Sequence, residues 1–318
     1  MMIPSLFCFV FSYLLSFFIV MSSEDWFLIW LGLEINMMSF IMLIYKRYSI
    51  NSVESCFKYF FIQSLGSAML VSLFYSYTFM NYWLVNMVLS YKIGVGPFFY
   101  WFPSMCSGLS WESCYILMIF QKVLPLLLIS LFIHWVLWLI LLLSLLIGVF
   151  GSFNQSNIKQ LIAYSSIHHL GWIMMIMISE QVNWFIYLFM YSFMLIGIIM
   201  ILKKYEISNL NMLYKSKDKF WFMMGMLSMA GMPPLLGFFL KWMALSYILN
   251  MIIYVILLIL MSVIMLYVYM RMMYDVILMM KMENYWVKTD LNKIFYFYDM
   301  TNMFGLGLGS IVGIMLLM

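Results

Sequence analysis

Long apolar runs, cut at intervals by short polar breaks, restrict this chain to one class of fold. The stretch from Met251 to Met270 holds no charged residue and reaches the roughly 20 residues with which an α-helix crosses about 30 Å of hydrocarbon. Comparable runs begin near Ile3, Trp26, Tyr59, Trp83, Ser113, Trp135, Gln160, Trp184, Phe220, Met251 and Met303, which predicts about eleven spans. Only the region around His134 separates the fifth from the sixth. Backbone amides cannot go unpaired in lipid, so the spans are helices and the fold is all-α, a polytopic transmembrane bundle. Composition agrees, because 67% of residues are hydrophobic and 9% charged, whereas a soluble domain uses about 25% charged residues to cover its surface.

Several function classes fall away. The net charge of +4 comes from basic residues scattered between apolar runs, with no contiguous basic patch interleaved with aromatics, so no nucleic-acid partner is expected. Cys8, Cys56, Cys106 and Cys114 show neither CxxC nor metal-ligand spacing; they read as small apolar fillers, and no metal is expected. No Gly-rich phosphate loop follows a strand-like run. The run from Ile3 to Met21 lacks a basic n-region and exceeds a usual signal-peptide core, so it reads as the first span.

Charge orients the spans. Thirteen of the sixteen basic residues fall in even-numbered connections: Lys46, Arg47 and Lys58; Lys159; Lys203, Lys204, Lys215, Lys217 and Lys219; Arg271, Lys281, Lys288 and Lys293. The odd-numbered connections carry acids such as Glu24, Asp25 and Glu180. The positive-inside rule then puts the N-terminus and the even connections on the inner side. The stretch from Lys203 to Lys219 is most simply a topology signal, and it also suits anionic lipid head groups or a neighbouring subunit.

The other three basic residues, Lys92, Lys122 and Lys241, fall inside spans, as does Glu34 among the acids. A charge at the centre of a membrane helix costs at least roughly 2.5 to 3.5 kcal/mol, and such residues commonly mark ion pathways. Two of the spans are also broken. The fourth contains Lys92-Ile-Gly94-Val-Gly96-Pro97 and the ninth Gly231-Met-Pro233-Pro234, and each sequence removes helical hydrogen bonds near mid-membrane. The breaks lie five spans apart, an odd number, which predicts inverted five-helix repeats over residues 1–133 and 134–272, each with a discontinuous helix. Residues 273–318 would add a basic connection and a C-terminal span. A proline kink alone is common in membrane helices; a lysine within each broken helix favours an ion site over coincidence.

The motifs occur in a familiar order. Trp30-Leu-Gly-Leu-Glu34-Ile-Asn36, Lys92-Ile-Gly-Val-Gly-Pro-Phe, Gln121-Lys122-Val-Leu-Pro125, Asn154-Gln155, Ala163-Tyr-Ser-Ser-Ile-His-His-Leu-Gly-Trp172 and Gly231-Met-Pro-Pro-Leu-Leu-Gly-Phe-Phe-Leu-Lys241-Trp242 together resemble subunit 2 of the mitochondrial respiratory NADH:ubiquinone oxidoreductase (complex I), an antiporter-like subunit of its membrane arm. The 37 Met residues are what a mitochondrial code reading AUA as Met would give. The sequence departs from the family at Phe99 and Ser104, where a His and a Glu often stand, and at Gln160, where a second basic residue often follows Lys159.

The resemblance implies proton translocation coupled at a distance to electron transfer from NADH to ubiquinone. It assigns Glu34, Lys92, Lys122 and Lys241 to the proton route and no redox centre to this chain. NADH, FMN, iron-sulfur clusters and ubiquinone would be bound by other subunits, which would be its partners in the mitochondrial inner membrane, with the N-terminus in the matrix. Cardiolipin is a further expected contact. Glu34 is expected to pair with Lys92, with Lys122 as central relay and Lys241 toward the exit. His168 and His169 point about 100° apart on one helix, so at most one is expected to face a polar axis; a proton relay and a histidine satisfied by a backbone carbonyl or Ser165 both remain open. Asn154, Gln155, Ser165 and Ser166 would hold water or bond neighbouring helices. Two other classes compete: a free-standing cation/proton antiporter, and a passive scaffold.

Overall fold

The computed structural model describes residues 3–46, 49–75, 82–179, 183–215, 219–233, 235–248 and 252–280. Arg47, Glu180, Lys217, Pro234, Lys281, Lys288, Lys293 and the span expected from Met303 lie outside the described residues. The chain divides into two compact units, Met1–Leu143 and Ser144–Met318.

In the first unit α1 (Ile3–Ser22) packs along α2 (Trp26–Ile44). Gly32 permits the approach: a Cβ there would lie 2.5 Å from Cγ2 of Val20. Asn36 donates to the Ser16 hydroxyl at 3.2 Å, so the buried amide of α2 is satisfied across the pair. Next, α3 (Ile50–Tyr75) packs against α2, α4 (Tyr82–Ile93) and α5 (Trp101–Gly108), with a 3₁₀ turn at Gly96–Phe98 between the last two. Then α6 (Trp111–Met118) and α7 (Phe120–Leu131) follow, α7 packing on α4. The boundary between units falls inside α8 (Val136–Ser152).

The second unit contains α9 (Ile158–Ser179), α10 (Trp184–Lys204), a 3₁₀ segment at Leu210–Lys215, α11 (Lys219–Ala230), α12 (Leu236–Ser246) and α13 (Ile252–Met280). Asn157 Oδ1 accepts from the Lys159 amide at 3.0 Å and starts α9, an N-capping bond. The most apolar stretch of α9 is 89% buried, against 22% for that of α13, so α9 packs on all sides while α13 has a lipid-type face. On α13, Ile252, Ile256, Leu260, Val263 and Tyr267 are exposed at the spacing of one helical stripe.

Six described helices are long and apolar enough to cross a membrane, and Phe7–Ser22, Val136–Ser152 and Leu236–Ser246 are shorter apolar helices. The all-helical expectation holds for the described residues, and ten of the expected spans correspond to helices or pairs of half-helices. Two boundaries differ. The third span begins at Ile50 rather than near Tyr59, so Lys58 is a helical residue, paired with Glu54 at 2.5 Å. That i,i+4 pair supports helix beyond the apolar run. Arg271 also lies within α13 rather than in the connection after it; its Nη1 donates to the Phe153 carbonyl at 2.5 Å, just past the end of α8. A guanidinium there satisfies a terminal carbonyl and favours the negative end of the helix dipole.

Candidate functional site

Both expected helix breaks are present, and they are built alike. In α4 the amide of Gly94 bonds to Ser90 O and that of Val95 also to Ser90 O; at the end of α11 the amide of Gly231 bonds to Leu227 O and that of Met232 also to Leu227 O. Gly94 and Gly231 have φ of +75° and +81°, the left-handed region in which only glycine is unstrained. Each break is therefore a Schellman-type helix end, with a glycine as the reversing residue and an i to i−5 bond closing it. Pro97 lies in the first turn after its break, where a missing amide proton costs nothing. Pro233 follows the second break.

Each break ends a half-helix at a buried lysine. Lys92 is 5% exposed and belongs to the last turn of α4, where a cation meets the negative end of the helix dipole. Its carbonyl accepts from Gln63 Nε2 of α3 at 2.8 Å. Its stem crosses Gly66, whose added Cβ would lie 2.8 Å from Lys92 Cγ. Lys241, 8% exposed, belongs to α12 but reaches back across the break, and its Nζ donates to the carbonyl of Ala230, the last residue of α11, at 2.6 Å. Gly231 leaves room for it: a Cβ there would lie 3.0 Å from Lys241 Nζ. Lys92 is thus a residue of the last turn of its first half-helix, and Lys241 brings its ammonium back to the C-terminal end of the other. Sequence spacing concealed this, since Lys92 precedes its glycine and Lys241 follows its own.

Lys122 is 3% exposed. A third interruption precedes it, where α6 gives way to α7 at Ile119 and the Lys122 amide bonds to Ile119 O at 3.1 Å, an i−3 contact in place of i−4. Pro125, one turn later, withholds a bond from the Gln121 carbonyl. The Lys122 ammonium lies 4.4 Å from the centroid of Phe102 in α5, a cation–π contact, and Cys106 of the same half-helix is within its electrostatic reach. Gln121 beside it accepts from the Tyr59 hydroxyl at 2.9 Å.

Glu34 is half-buried. It lines a groove of about 490 Å³ on α1 and α2 with Phe9, Ser12, Trp30, Met38 and Met42. It lies within electrostatic reach of Lys92, yet the two form no contact ion pair among the described residues.

In the second unit both histidines are buried, His168 at 1% and His169 at 2% exposure. They do point apart. His168 packs on Gly148 of α8, where an added Cβ would lie 2.8 Å from its own Cβ, and Lys241 is within its electrostatic reach. His169 turns to α10, its Nδ1 sharing a 2.9 Å hydrogen bond with the Tyr187 hydroxyl and its ring lying 4.5 Å from that of Tyr191. A helix packed on all sides gives both directions a buried neighbour. Ser165 and Ser166 donate their hydroxyls to their own helix, at Ile162 O and Ala163 O.

Among these neighbours, Gln63 carried a readable signal, an amide within an apolar run. Phe102, Gly66 and Tyr187 carried none, since aromatic residues and glycines occur throughout the spans. Chemically, each buried lysine is held between opposing influences: burial disfavours its charge, while a carbonyl end, an aromatic face or a carboxylate favours it.

Known proteins resemble this chain in both sequence and fold. Residues 23–88 and 76–266 match the family described as NADH:quinone oxidoreductase/Mrp antiporter, transmembrane. NADH-ubiquinone oxidoreductase chain 2 of Locusta migratoria is 32% identical over 306 residues, covering 90% of each chain. The chain 2 protein of Suncus etruscus is 35% identical over 281 residues, covering 81% of each. In fold, a chain of respiratory complex I from Thermus thermophilus with bound aureothin superposes with a TM-score of 0.80 at 22% identity, over 97% of this chain and 78% of that one. A chain of the Mrp complex from Dietzia sp. DQ12-45-1b superposes with a TM-score of 0.66 at 16% identity, over 79% and 56%.

Proposed function

The chain belongs to the NADH-ubiquinone oxidoreductase chain 2 family of antiporter-like membrane proteins, and on that premise we propose that Lys92, Lys122 and Lys241, with Glu34, carry protons through it. It is a multi-pass membrane-arm subunit of respiratory complex I that takes part in proton translocation coupled to electron transfer from NADH to ubiquinone. Other complex I subunits are its partners. The observation that carries the proton route is the burial of three lysines in apolar helices, each beside an interruption of its helix. A charge buried in membrane helices is costly, and residues kept at that cost commonly mark ion or proton pathways.

The burial of the lysines and the interruptions beside them support a working cycle of the following kind. Lys92 gains or loses electrostatic support as Glu34 changes its charge or distance, and its affinity for a proton follows. Lys122, facing the Phe102 ring, is the central relay. Lys241, held at the Ala230 carbonyl and within electrostatic reach of His168, hands the proton toward the exit, and His168 and His169 are candidate relays. The chain's contribution is that of a translocase subunit without a redox centre, with NADH, FMN, iron-sulfur clusters and ubiquinone in other subunits. Its membrane is the mitochondrial inner membrane with the N-terminus in the matrix, and cardiolipin is a fitting contact for its inner-side basic residues.

Two measurements test this reading. On a native gel the chain is expected to migrate with an assembly of very large mass; migration as a small oligomer would instead support a free-standing antiporter. In membranes carrying Glu34→Gln, proton pumping per electron is expected to fall, and unchanged pumping would remove Glu34 from the route.

A further inference from the structure

We infer that Tyr187 is a positioning residue for His169, its hydroxyl holding Nδ1 so that the opposite ring nitrogen is the one that exchanges protons. The inference rests on the proton-translocation reading above.

The pair is deeply placed. Tyr187 is 0% exposed and His169 2%, and their hydrogen bond of 2.9 Å joins the middle of α9 to the first turn of α10. The rings of Tyr187 and Tyr191, one turn apart on α10, lie 6.1 Å and 4.5 Å from that of His169. Tyr191 therefore packs on the imidazole while Tyr187 bonds its edge. Tyr269 of α13 is within electrostatic reach of Tyr187 and faces Ser165, one turn before His169 on α9. His168 lies 5.7 Å away, ring to ring, and its Nε2 finds no hydrogen-bond partner among the described residues. The two histidines are thus held differently: one is anchored through a specific nitrogen, the other through packing against Gly148.

A phenol suits the anchoring role because its hydroxyl both donates and accepts. With His169 neutral and its hydrogen on Nδ1, Nδ1–H donates to the Tyr187 oxygen and Nε2 keeps the lone pair that can accept a proton. When Nε2 gains a proton, the imidazolium still donates from Nδ1 to the same oxygen; when Nε2 gives that proton up, the same neutral tautomer returns. In both states one bond at Nδ1 persists, so the ring is not released when its charge changes. Proton exchange then uses the other edge, and no atom of Tyr187 needs to enter the route.

The test is a double-mutant cycle on protons pumped per electron pair in assembled complex, with Tyr187→Phe, His169→Gln and the double variant, each normalised to assembled complex on a native gel. Tyr187→Phe keeps the ring and removes one buried hydrogen bond, so coupled pumping is expected to fall roughly two- to tenfold. In the His169→Gln background the same change is expected to add little, because a positioning residue acts only through its partner. A loss that multiplies independently of His169 would overturn the inference and leave Tyr187 a packing residue, as would unchanged pumping in Tyr187→Phe. Should Tyr187→Phe prevent assembly, Tyr187→Met, which fills the site without a hydroxyl, takes its place, and the same additivity overturns the inference. A parallel Lys122→Met sample separates the two levels: unchanged pumping there defeats the proton-route reading itself, whereas a loss there with an additive cycle defeats only the role of Tyr187.

Discussion

Gly237→Ala is the substitution whose effect the geometry specifies most sharply. A Cβ on Gly237 would lie 1.7 Å from the Ser228 carbonyl oxygen and 2.8 Å from its carbonyl carbon. Ordinary Cβ contacts begin near 3.4 Å, so α11 and α12 would have to part by something on the order of 1.5 Å, and no flexible side-chain end is available to yield instead. Overpacking of this kind costs about 1 to 3 kcal/mol, and a rigid backbone contact belongs at the upper end. Alanine returns about 1 kcal/mol through its better helix propensity, which leaves a loss of about 2 kcal/mol, a factor of roughly 30 in the folded population. Because Lys241 belongs to α12 and bonds Ala230 of α11 at 2.6 Å, the same movement would separate the ammonium from its carbonyl. The assay is the amount of assembled complex on a native gel together with coupled turnover per assembled complex, and both are expected to fall. Wild-type values for both in Gly237→Ala would refute the close approach of the two half-helices and the placement of Lys241 that depends on it.

Two further substitutions probe the supports of the site and the fold. Gln63→Leu removes the donor to the Lys92 carbonyl and leaves a buried acceptor unsatisfied at the first break, so a loss of about 1 to 3 kcal/mol is expected in thermal inactivation of the complex, with Gln63→Glu no adequate replacement because a carboxylate cannot donate. Arg271→Met removes the charged donor from the Phe153 carbonyl at the end of α8, with an expected loss of about 1.5 to 3 kcal/mol; Arg271→Lys should recover part of it, and equal stability of Arg271→Met and the parent would exclude the capping role.

Much of the helical order was legible because lipid demands it. Apolar runs located the helices, and glycine followed by proline located both breaks, since left-handed backbone and a missing amide proton are local properties. Helix ends were less legible. At Ile50 the helix continues through Asn51, Ser52 and Glu54, which an apolar-run criterion excludes, because a Glu54–Lys58 pair sustains it outside hydrocarbon. The interruption at Ile119 carried no residue signal beyond Pro125, six positions later. Within the candidate site, burial of Lys92, Lys122 and Lys241 followed from their positions in the spans. What each touches did not: Gln63, Gly66, Phe102 and Ala230 are brought to the lysines by contacts between helices, which one sequence does not encode in any spacing. The same holds for His169 and Tyr187, whose hydrogen bond depends on the rotation of α9 against α10.

The most direct test of the account is proton pumping measured against NADH:ubiquinone electron transfer in membranes carrying Lys122→Met, a change that keeps most of the side-chain volume beside Phe102 and removes the ammonium. Pumping or coupled turnover is expected to fall while the complex still assembles. Persistence of both in a fully assembled complex would contradict the proton route and make the chain a scaffold.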